Sequence, residues 1–204
     1  MHTLLKQSGM TRKRTKRQRQ SKNSTPESKA EFKAKLNAIL DDGGDVLFQD
    51  ESHFSHNVLP LYGYSPSGQP CCITEAVTRK AHTLIMAFSR SGQVFWKVYE
   101  GSINAARMKV FVDELPPIRV LMDNHIVHKT VRMDVEKIFT PVAQPYANPI
   151  EIVFSKLKLL YRSINADHPE MSVEAKIDRA IESLNTADLE GAVEHVRGFA
   201  NARY

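Results

Sequence analysis

Apolar positions recur along the chain at two spacings, and these spacings predict an alternation of helices and strands. Thr25 and Pro26 are typical of a helix start, and an apolar stripe at helical spacing follows them as far as Gly43-Gly44. The stripe consists of Phe32, Leu36, Ile39 and Leu40. The next segment, 45–50, alternates with a period of two and predicts a compact strand that ends at or near Asp50.

The middle of the chain predicts a hairpin followed by a helix. Residues 81–89 and 93–100 read as two strands joined by the turn sequence Arg90-Ser91-Gly92. Residues 104–115 have the apolar spacing of a helix that Pro116-Pro117 ends. The residues expected on its inward face are Ala106, Val110, Phe111 and Leu115.

The next part predicts a central strand with two short elements after it. Residues 118–122 form a nearly continuous apolar run, as expected of a buried strand. We expect a helix over 129–138 and then a short edge strand over 139–142, because Pro141 cannot serve a central strand.

Asn148 and Pro149 predict the start of an amphipathic helix that extends to about Arg162, with one or two further helices over 173–199. Its apolar stripe is Ile150, Phe154, Leu157 and Tyr161, and its polar stripe is Glu151, Ser155, Lys158 and Arg162. The order of elements predicts an α/β fold with a mixed five-stranded sheet flanked by helices. An antiparallel meander comes first and crossover connections follow.

Positive charge is concentrated in the first 24 residues. They contain eight Lys and Arg residues and no Asp or Glu, whereas the whole chain has a formal net charge of +5. Residues 25–204 therefore carry a net charge of −3. We expect 1–24 to be a basic, disordered arm that binds nucleic-acid phosphates, and 25–204 to be the folded domain. A tail that serves only solubility or nuclear targeting is the alternative.

Other compositional features exclude several classes of protein. No apolar run approaches the roughly 20 residues that cross a bilayer, and no apolar leader core follows the basic N-terminus. We therefore expect no membrane partner. Cys71 and Cys72 are adjacent, which excludes a routine bridge between them and does not fit zinc spacing. This favours a reducing, intracellular setting.

Three carboxylates are the candidate chemistry. Asp50 and Asp123 follow apolar strand segments, and Glu151 lies in the first turn of a predicted helix. Each taken alone is more often a turn, cap or dipole residue. Together they would repel one another unless a divalent ion bound them, and hard oxygen ligands suit Mg²⁺ or Mn²⁺.

Two alternatives involve neighbouring residues. His53, His56, His125 and His128 form two H-x-x-H pairs that zinc can use together with a carboxylate. His128 alternatively holds the helix after Asp123 or approaches a phosphate. Glu51 adjoins Asp50 but points to the other face of the strand, so we leave it out of the carboxylate set. Lys158 and Arg162 share the stripe of Glu151 and are expected to face phosphates rather than only solvent.

Three sequence blocks resemble those of DDE transposases, in the same order. They are FQDESHF at 48–54, LMDNHIVHK at 121–129 and QPYANPIEIVFSKLK at 144–158. The turn-rich segment YGYSPSGQP at 62–70 is similar to the family's W-x-P-x-G turn, with Tyr64 in the place of Trp. The resemblance is greatest to the mariner-like superfamily and related bacterial insertion-sequence transposases. It covers about Leu4 to Lys158 and, more loosely, the C-terminal helices.

This resemblance implies an RNase H-like domain with Asp50, Asp123 and Glu151 as its catalytic triad and Mg²⁺ or Mn²⁺ as its cofactor. It implies hydrolytic nicking at transposon ends, followed by attack of the freed 3′-hydroxyl on target DNA. We expect a homodimer on DNA, in the cytoplasm of a bacterium or the nucleus of a eukaryote. The expected DNA contacts are Arg12, Lys13, Arg14, Lys16, Arg17 and Arg19 in the arm, with Lys158 and Arg162 on the helix.

The sequence also departs from the family pattern. The lead-in QPYANPIE is shorter than the family's PPYSPDLNPIE, and residues 1–24 resemble only the end of a helix-turn-helix region. These departures keep two other hypotheses open. One is a catalytically inactive, truncated DNA-binding remnant of a transposase, and the other is a structure-selective nuclease of the same fold.

Overall fold

A computed structural model describes residues 25–55, 65–70, 81–142, 144 and 147–199. The six helices of this part are α1 (Pro26–Asp41), α2 (Ala105–Val112), α3 (Ile126–Thr130), α4 (Ile150–Asp167), α5 (Val173–Glu182) and α6 (Thr186–Phe199). Its five strands are β1 (Val46–Ser55), β2 (Ala81–Ser89), β3 (Val94–Glu100), β4 (Arg119–Met122) and β5 (Lys137–Phe139).

The five strands form one mixed sheet in the order β3-β2-β1-β4-β5. β1 and β2 are antiparallel, with Asp50 opposite Met86, and β2 and β3 continue the meander. On the other side of β1, β4 and then β5 run parallel to it and to each other. The predicted meander followed by crossover connections, and the mixed five-stranded sheet flanked by helices, are therefore confirmed.

Helices cover both faces of the sheet. The larger core joins α1, α4, α5 and α6 to one face, and the smaller core packs α2 against the other. Successive β1 residues alternate between them, since Phe48 belongs to the larger core and Leu47 to the smaller. Asp50 shares the face of Phe48 by the same alternation, and so points toward the side of the sheet that α4 covers.

The helix cap of α1, the β2–β3 turn and the apolar face of α4 have the structures that their residue types predict. The Thr25 side chain accepts a hydrogen bond from the Ser28 backbone and caps α1. Gly92 adopts a φ of 91° in the β2–β3 turn, a conformation that costs glycine little. The predicted apolar stripe of α4 is buried, and the predicted last helix is the pair α5 and α6.

The structure corrects three local predictions. β1 does not end near Asp50 but continues to Ser55, because its pairing with β2 persists as far as Ala81. Ala106 and Val110 are exposed rather than inward. The buried face of α2 instead consists of Met108, Phe111 and Val112, which are spaced three and four residues apart.

The third correction concerns the segment after β4. Residues 129–138 do not form a helix, because α3 ends at Thr130 and the edge strand is Lys137–Phe139 rather than 139–142. The Lys137 ammonium donates to the backbone carbonyls of His128 and Val131, at the end of α3. The chain then pairs with β4, where Leu121 lies beside Ile138. Among the described helices, none combines the length and the apolar character needed to cross a membrane.

Candidate active site

The parallel pairing of β1 with β4 brings Asp50 and Asp123 to the same edge of the larger core. Phe48 lies beside Leu121 in this register, and each aspartate follows two residues later on its own chain segment. Paired strands lie about 4.8 Å apart, and side chains two residues apart share a face. The two carboxylates are therefore neighbours, although about 70 residues separate them along the chain.

The start of α4 brings the third carboxylate. The Asn148 side chain is buried, and its Nδ2 donates a 3.1 Å hydrogen bond to the Gln49 backbone carbonyl, next to Asp50. Its Oδ1 accepts from the Ile150 amide at 3.4 Å, so one side chain contacts both β1 and the first turn of α4. Pro149 is the formal cap and supplies no side-chain hydrogen bond. Glu151 lies in this first turn, beside Asp50.

The electrostatics of Asp50 reflect this crowding. Burial raises the pKa of Asp50, a hydrogen bond from the Glu51 backbone amide opposes the rise, and the charges of Glu51, Asp123 and Glu151 add to it. The resulting pKa is about 7, against an ordinary value of 3.8. Burial, with a smaller contribution from three neighbouring carboxylates, therefore makes a negative charge at Asp50 unfavourable, and a bound cation would relieve this.

Each aspartate has one carboxylate oxygen that accepts no hydrogen bond from the described residues. Oδ1 of Asp50 accepts from the Glu51 amide at 2.8 Å, and Oδ1 of Asp123 accepts from the His125 amide at 2.9 Å. Within the described part of the chain, Oδ2 of both residues and the Glu151 carboxylate have no hydrogen bond or ion pair. These oxygens are the ones available to an exogenous ligand.

His128 and Glu51 belong to the same cluster, which the sequence did not predict. The His128 side chain is 1% exposed, with Nδ1 2.6 Å from Asp123 Oδ1 and Nε2 2.9 Å from Glu51 Oε1. Burial lowers the pKa of His128, but hydrogen bonds to Asp123 and Glu51 and their charges outweigh it and raise the pKa to about 10. The hydrogen bond from His128 is also the main reason that the pKa of Asp123 lies below its usual range.

This arrangement changes the interpretation of both residues. Glu51 does lie on the opposite strand face, as predicted, yet it reaches the site through His128. His128 is too buried to approach a phosphate. The only sequence signal for the contact was the spacing of five residues between Asp123 and His128, which places the ring one helical turn beyond the strand end.

The histidine pairs do not form a zinc site in the described residues. His53 is exposed on β1, His125 stacks edge-on against His128 with ring centroids 5.9 Å apart, and His56 lies outside the described residues. No three His, Cys, Asp or Glu side chains of the described segments are grouped closely enough to enclose a metal ion. This holds for Asp50, Asp123 and Glu151 as well.

An open set of carboxylates nevertheless fits Mg²⁺ or Mn²⁺. Mg²⁺ retains several waters and is bound through one or two carboxylates together with substrate phosphates rather than by an all-protein cage. Asp50 and Asp123 each offer a free oxygen, and burial together with nearby negative charge raises the pKa of Asp50. The neighbouring cation, His128, is bonded to Asp123 and Glu51 rather than to Asp50. The donor set is therefore the kind that such a cation uses, with Glu151 as the third member.

The predicted DNA-contacting residues divide into two groups. Lys158 is partly exposed and Arg162 is exposed, and neither has a hydrogen bond or ion pair with another described residue. Lys156 on the same helix is instead paired with Asp188 of α6. Arg12, Lys13, Arg14, Lys16, Arg17 and Arg19 lie outside the described residues, as do Tyr64, Cys71 and Cys72.

Comparison with known proteins identifies similar folds. Residues 45–171 match the family model of the DDE superfamily endonucleases. No curated protein sequence matches the chain. The Mos1 strand transfer complex aligns with 98% of this chain and 67% of its own, at 16% identity and a TM-score of 0.67.

Two further Mos1 structures agree with this result. The mariner paired-end complex with Mn aligns with 98% of this chain and 68% of its own, at 15% identity and a TM-score of 0.67. The Mos1 mariner transposase catalytic domain aligns over 90% of this chain and 93% of its own, at 13% identity and a TM-score of 0.59. At these identities the likeness is one of fold, and it confirms the expected RNase H-like architecture.

Proposed function

Because the chain belongs to the DDE superfamily of endonucleases, we propose that it is a metal-dependent transposase that cleaves DNA at transposon ends and joins them to target DNA. In this proposal residues 25–204 are the catalytic domain and residues 1–24 are a DNA-binding arm. The observation that carries it is the convergence of Asp123 and Glu151 on Asp50, whose pKa their charges help to raise.

The three carboxylates have a defined part in this reaction. Asp50, Asp123 and Glu151 would hold Mg²⁺ or Mn²⁺, and the Mos1 paired-end complex with Mn supports that choice of ion. When bound, such ions activate a water or a 3′-hydroxyl and stabilise the leaving oxygen. The hydrogen bonds from the Glu51 and His125 amides fix Oδ1 of the two aspartates and leave Oδ2 of each for the site.

The proposed reaction consists of two successive displacements at phosphorus. In the first, a water oxygen bonds to phosphorus while the bond to the 3′ oxygen breaks, which leaves a 3′-hydroxyl at the transposon end. In the second, that hydroxyl bonds to a target phosphorus while the target's own bond to its 3′ oxygen breaks. Lys158 and Arg162 lie on the polar side of α4 with Glu151 and are proposed to contact the phosphates of the bound strand.

We further propose that the active species is a homodimer on DNA that pairs two transposon ends. Transposon DNA, target DNA and a second copy of the chain are then its partners, and it acts wherever the host DNA is, in the bacterial cytoplasm or the eukaryotic nucleus. The Mos1 strand transfer and paired-end complexes support this arrangement by analogy of fold.

The test is metal-dependent cleavage of the DNA that flanks the coding sequence on both sides. The full chain with Mn²⁺ or Mg²⁺ should nick this DNA, and Asp50→Ala, Asp123→Ala and Glu151→Ala should each abolish nicking. Glu136→Ala is the matched control, because this carboxylate pairs with Lys35 and Arg119 at the other end of β4. Metal-dependent cleavage that survives all three changes would refute the assignment.

One sequence feature favours a second candidate, a catalytically inactive DNA-binding remnant. The QPYANPIE lead-in to Glu151 is shorter than the family pattern, and a displacement of about 1 Å at a catalytic group can cost about 10²-fold in rate. This candidate predicts salt-sensitive DNA binding without cleavage by either metal. Retained DNA binding with no cleavage and no Mn²⁺ binding would favour it over the transposase.

A further inference from the structure

The imidazole of His128 lies between two carboxylates from different elements. Its Nδ1 is 2.6 Å from Oδ1 of Asp123, and its Nε2 is 2.9 Å from Oε1 of Glu51. Ionised carboxylates only accept hydrogen bonds, so the ring donates from both nitrogens. Charge-assisted bonds of this kind are roughly twice as strong as neutral ones, and here they join the segment after β4 to the middle of β1.

Further hydrogen bonds fix both Glu51 and His128 in place. Gln49 Nε2 donates to Oε1 of Glu51 at 3.1 Å, which fixes the carboxylate that receives Nε2 of His128. The Lys137 ammonium donates to the His128 backbone carbonyl at 3.0 Å, which fixes the residue from the side of β5. The position of the His128 ring is therefore set by three separate elements before any ligand binds.

Asp123 lies beyond the regular sheet, where the strand pairing no longer restrains it. It follows the last residue of β4, and its side chain is 47% exposed. A free aspartate there would exchange its two oxygens by rotation. His128 and the His125 amide both bond to Oδ1, so the carboxylate is held by this oxygen and Oδ2 has no bond to another described residue.

We propose that His128 is a positioning residue that, together with Glu51, holds Oδ1 of Asp123 and so presents Oδ2 as the oxygen for a divalent cation. This inference rests on the metal site of the proposed function. Hydrogen-bonding partners of metal ligands typically contribute 10–100-fold to metal affinity. Loss of the His128–Asp123 bond should therefore weaken cation binding without removing a ligand.

The test uses two isosteric variants of one residue in the full-length chain. In His128→Asn the amide nitrogen occupies the place of Nδ1 and keeps the donor to Asp123, whereas in His128→Gln it occupies the place of Nε2 and keeps only the contact with Glu51. Each variant loses one of two buried hydrogen bonds, so both should lose thermal stability. Titration with MnCl₂ alone by calorimetry should give about 10–100-fold weaker binding for His128→Gln. His128→Asn should stay within about 3-fold of the wild type, well below the 10–100-fold loss.

His82→Asn is the control for the loss of a buried histidine. His82 is also almost fully buried, and its Nε2 lies 2.8 Å from the Glu174 carboxylate. His82 lies on β2, four residues before Met86, the residue that pairs with Asp50. This variant should lose stability and keep wild-type Mn²⁺ affinity. Glu51→Gln is the milder second variant for the case that His128→Gln does not fold. It should weaken Mn²⁺ binding a few-fold, well short of the 10–100-fold loss.

A second readout needs no metal. Nitrogen-15 spectra of histidine-labelled, metal-free protein should show one imidazole with slowly exchanging hydrogens on both ring nitrogens, and His128→Gln should remove that signal. Absence of the signal from the wild type would overturn the geometry itself.

The remaining outcomes separate this inference from the proposed function. If wild type binds Mn²⁺ in a manner that Asp123→Ala abolishes, and His128→Gln binds it equally well, the positioning role is overturned while the metal site stands. Equal losses in His128→Asn and His128→Gln would also overturn it, because the effect would then be one of packing. If wild type binds no Mn²⁺, the metal site fails and this inference fails with it.

Discussion

The side-chain amide of Asn148 donates to the backbone carbonyl of Gln49, and this contact links the first turn of α4 to the strand that carries Asp50. Asn148 is 1% exposed, so water does not compete for the bond. Glu151 follows by three residues, within the same turn. The placement of the third carboxylate thus depends on a buried contact as well as on the loop that leads into the helix.

The first prediction concerns this contact. Asn148→Ala removes the donor and leaves a strand carbonyl with one partner fewer, which should cost about 1–3 kcal/mol of stability. Because the start of α4 is then free to shift, DNA cleavage should fall by about 10²-fold per ångström of displacement of Glu151. Urea unfolding and nicking assays measure the two effects.

Tyr161→Phe is the matched control for Asn148→Ala. The Tyr161 hydroxyl donates to the Ser55 carbonyl at 3.0 Å, so it makes the same kind of contact between α4 and β1 but at the far end of the strand. Its loss should cost a similar amount of stability and leave cleavage unchanged. Equal cleavage defects in the two variants would show that general loosening of α4, not the position of Glu151, controls the rate.

Local pattern predicted the elements better than it predicted the site. Apolar periodicity was sufficient for α1, the β2–β3 hairpin and α4, because each buries a face of its own. It failed for the second half of β1, where Asp50, Glu51 and His53 interrupt the alternation and pairing with β2 alone maintains the strand. It also failed over 129–138, where the Lys137 contact and pairing with β4 override a helical spacing.

The approach of the carboxylates depends on long-range geometry that no local pattern specifies. Asp50 and Asp123 become neighbours only through the parallel register of β1 and β4. The three family-like blocks pointed to the residues, but the Glu51–His128–Asp123 contacts were not foreseen. The period-two rule put Glu51 on the other face of the strand, which is correct, and said nothing about a histidine that links the two faces.

The second prediction follows from the raised pKa of Asp50. Its folded pKa of about 7 exceeds the ordinary 3.8, so the folded protein holds this proton more tightly than the unfolded chain. The stabilisation is fully present below pH 3.8 and is lost as the pH rises through 7. Relative to Asp50→Asn, metal-free wild type should therefore lose on the order of 2–4 kcal/mol across this range. The groups that face Asp50 are Glu51, Asp123 and Glu151.

Urea unfolding in EDTA between pH 4 and pH 8 measures this difference. His128, whose pKa is raised to about 10, contributes stability that falls only above its ordinary 6.5, and it does so in both proteins. Its contribution therefore cancels in the comparison. Stability curves that run parallel for wild type and Asp50→Asn would contradict the burial and charge assigned to Asp50.

The third prediction concerns the basic arm. Residues 1–24 carry eight cationic residues, and removal of each cation that binds a phosphate should reduce the salt slope of DNA binding by about 0.9. Deletion of 1–24 should therefore reduce the affinity and lower the slope by several times this amount. Deletion of 1–10 is the control, because it removes only one cation, Lys6. Fluorescence anisotropy over a KCl series measures both, and equal slopes for the two deletions would exclude the arm as the main phosphate-binding segment.

The fourth prediction distinguishes lysines two residues apart on α4. Lys158 has no partner among the described residues, whereas Lys156 is paired with Asp188. If the polar stripe of α4 contacts the DNA backbone, Lys158→Gln and Arg162→Gln should each lower the salt slope by about 0.9 and weaken binding to all sequences alike. Lys156→Gln should instead cost up to about 1 kcal/mol of stability and leave the slope unchanged. An effect of Lys156→Gln equal to that of Lys158→Gln would mean that net charge, rather than the stripe that contains Glu151, determines DNA binding.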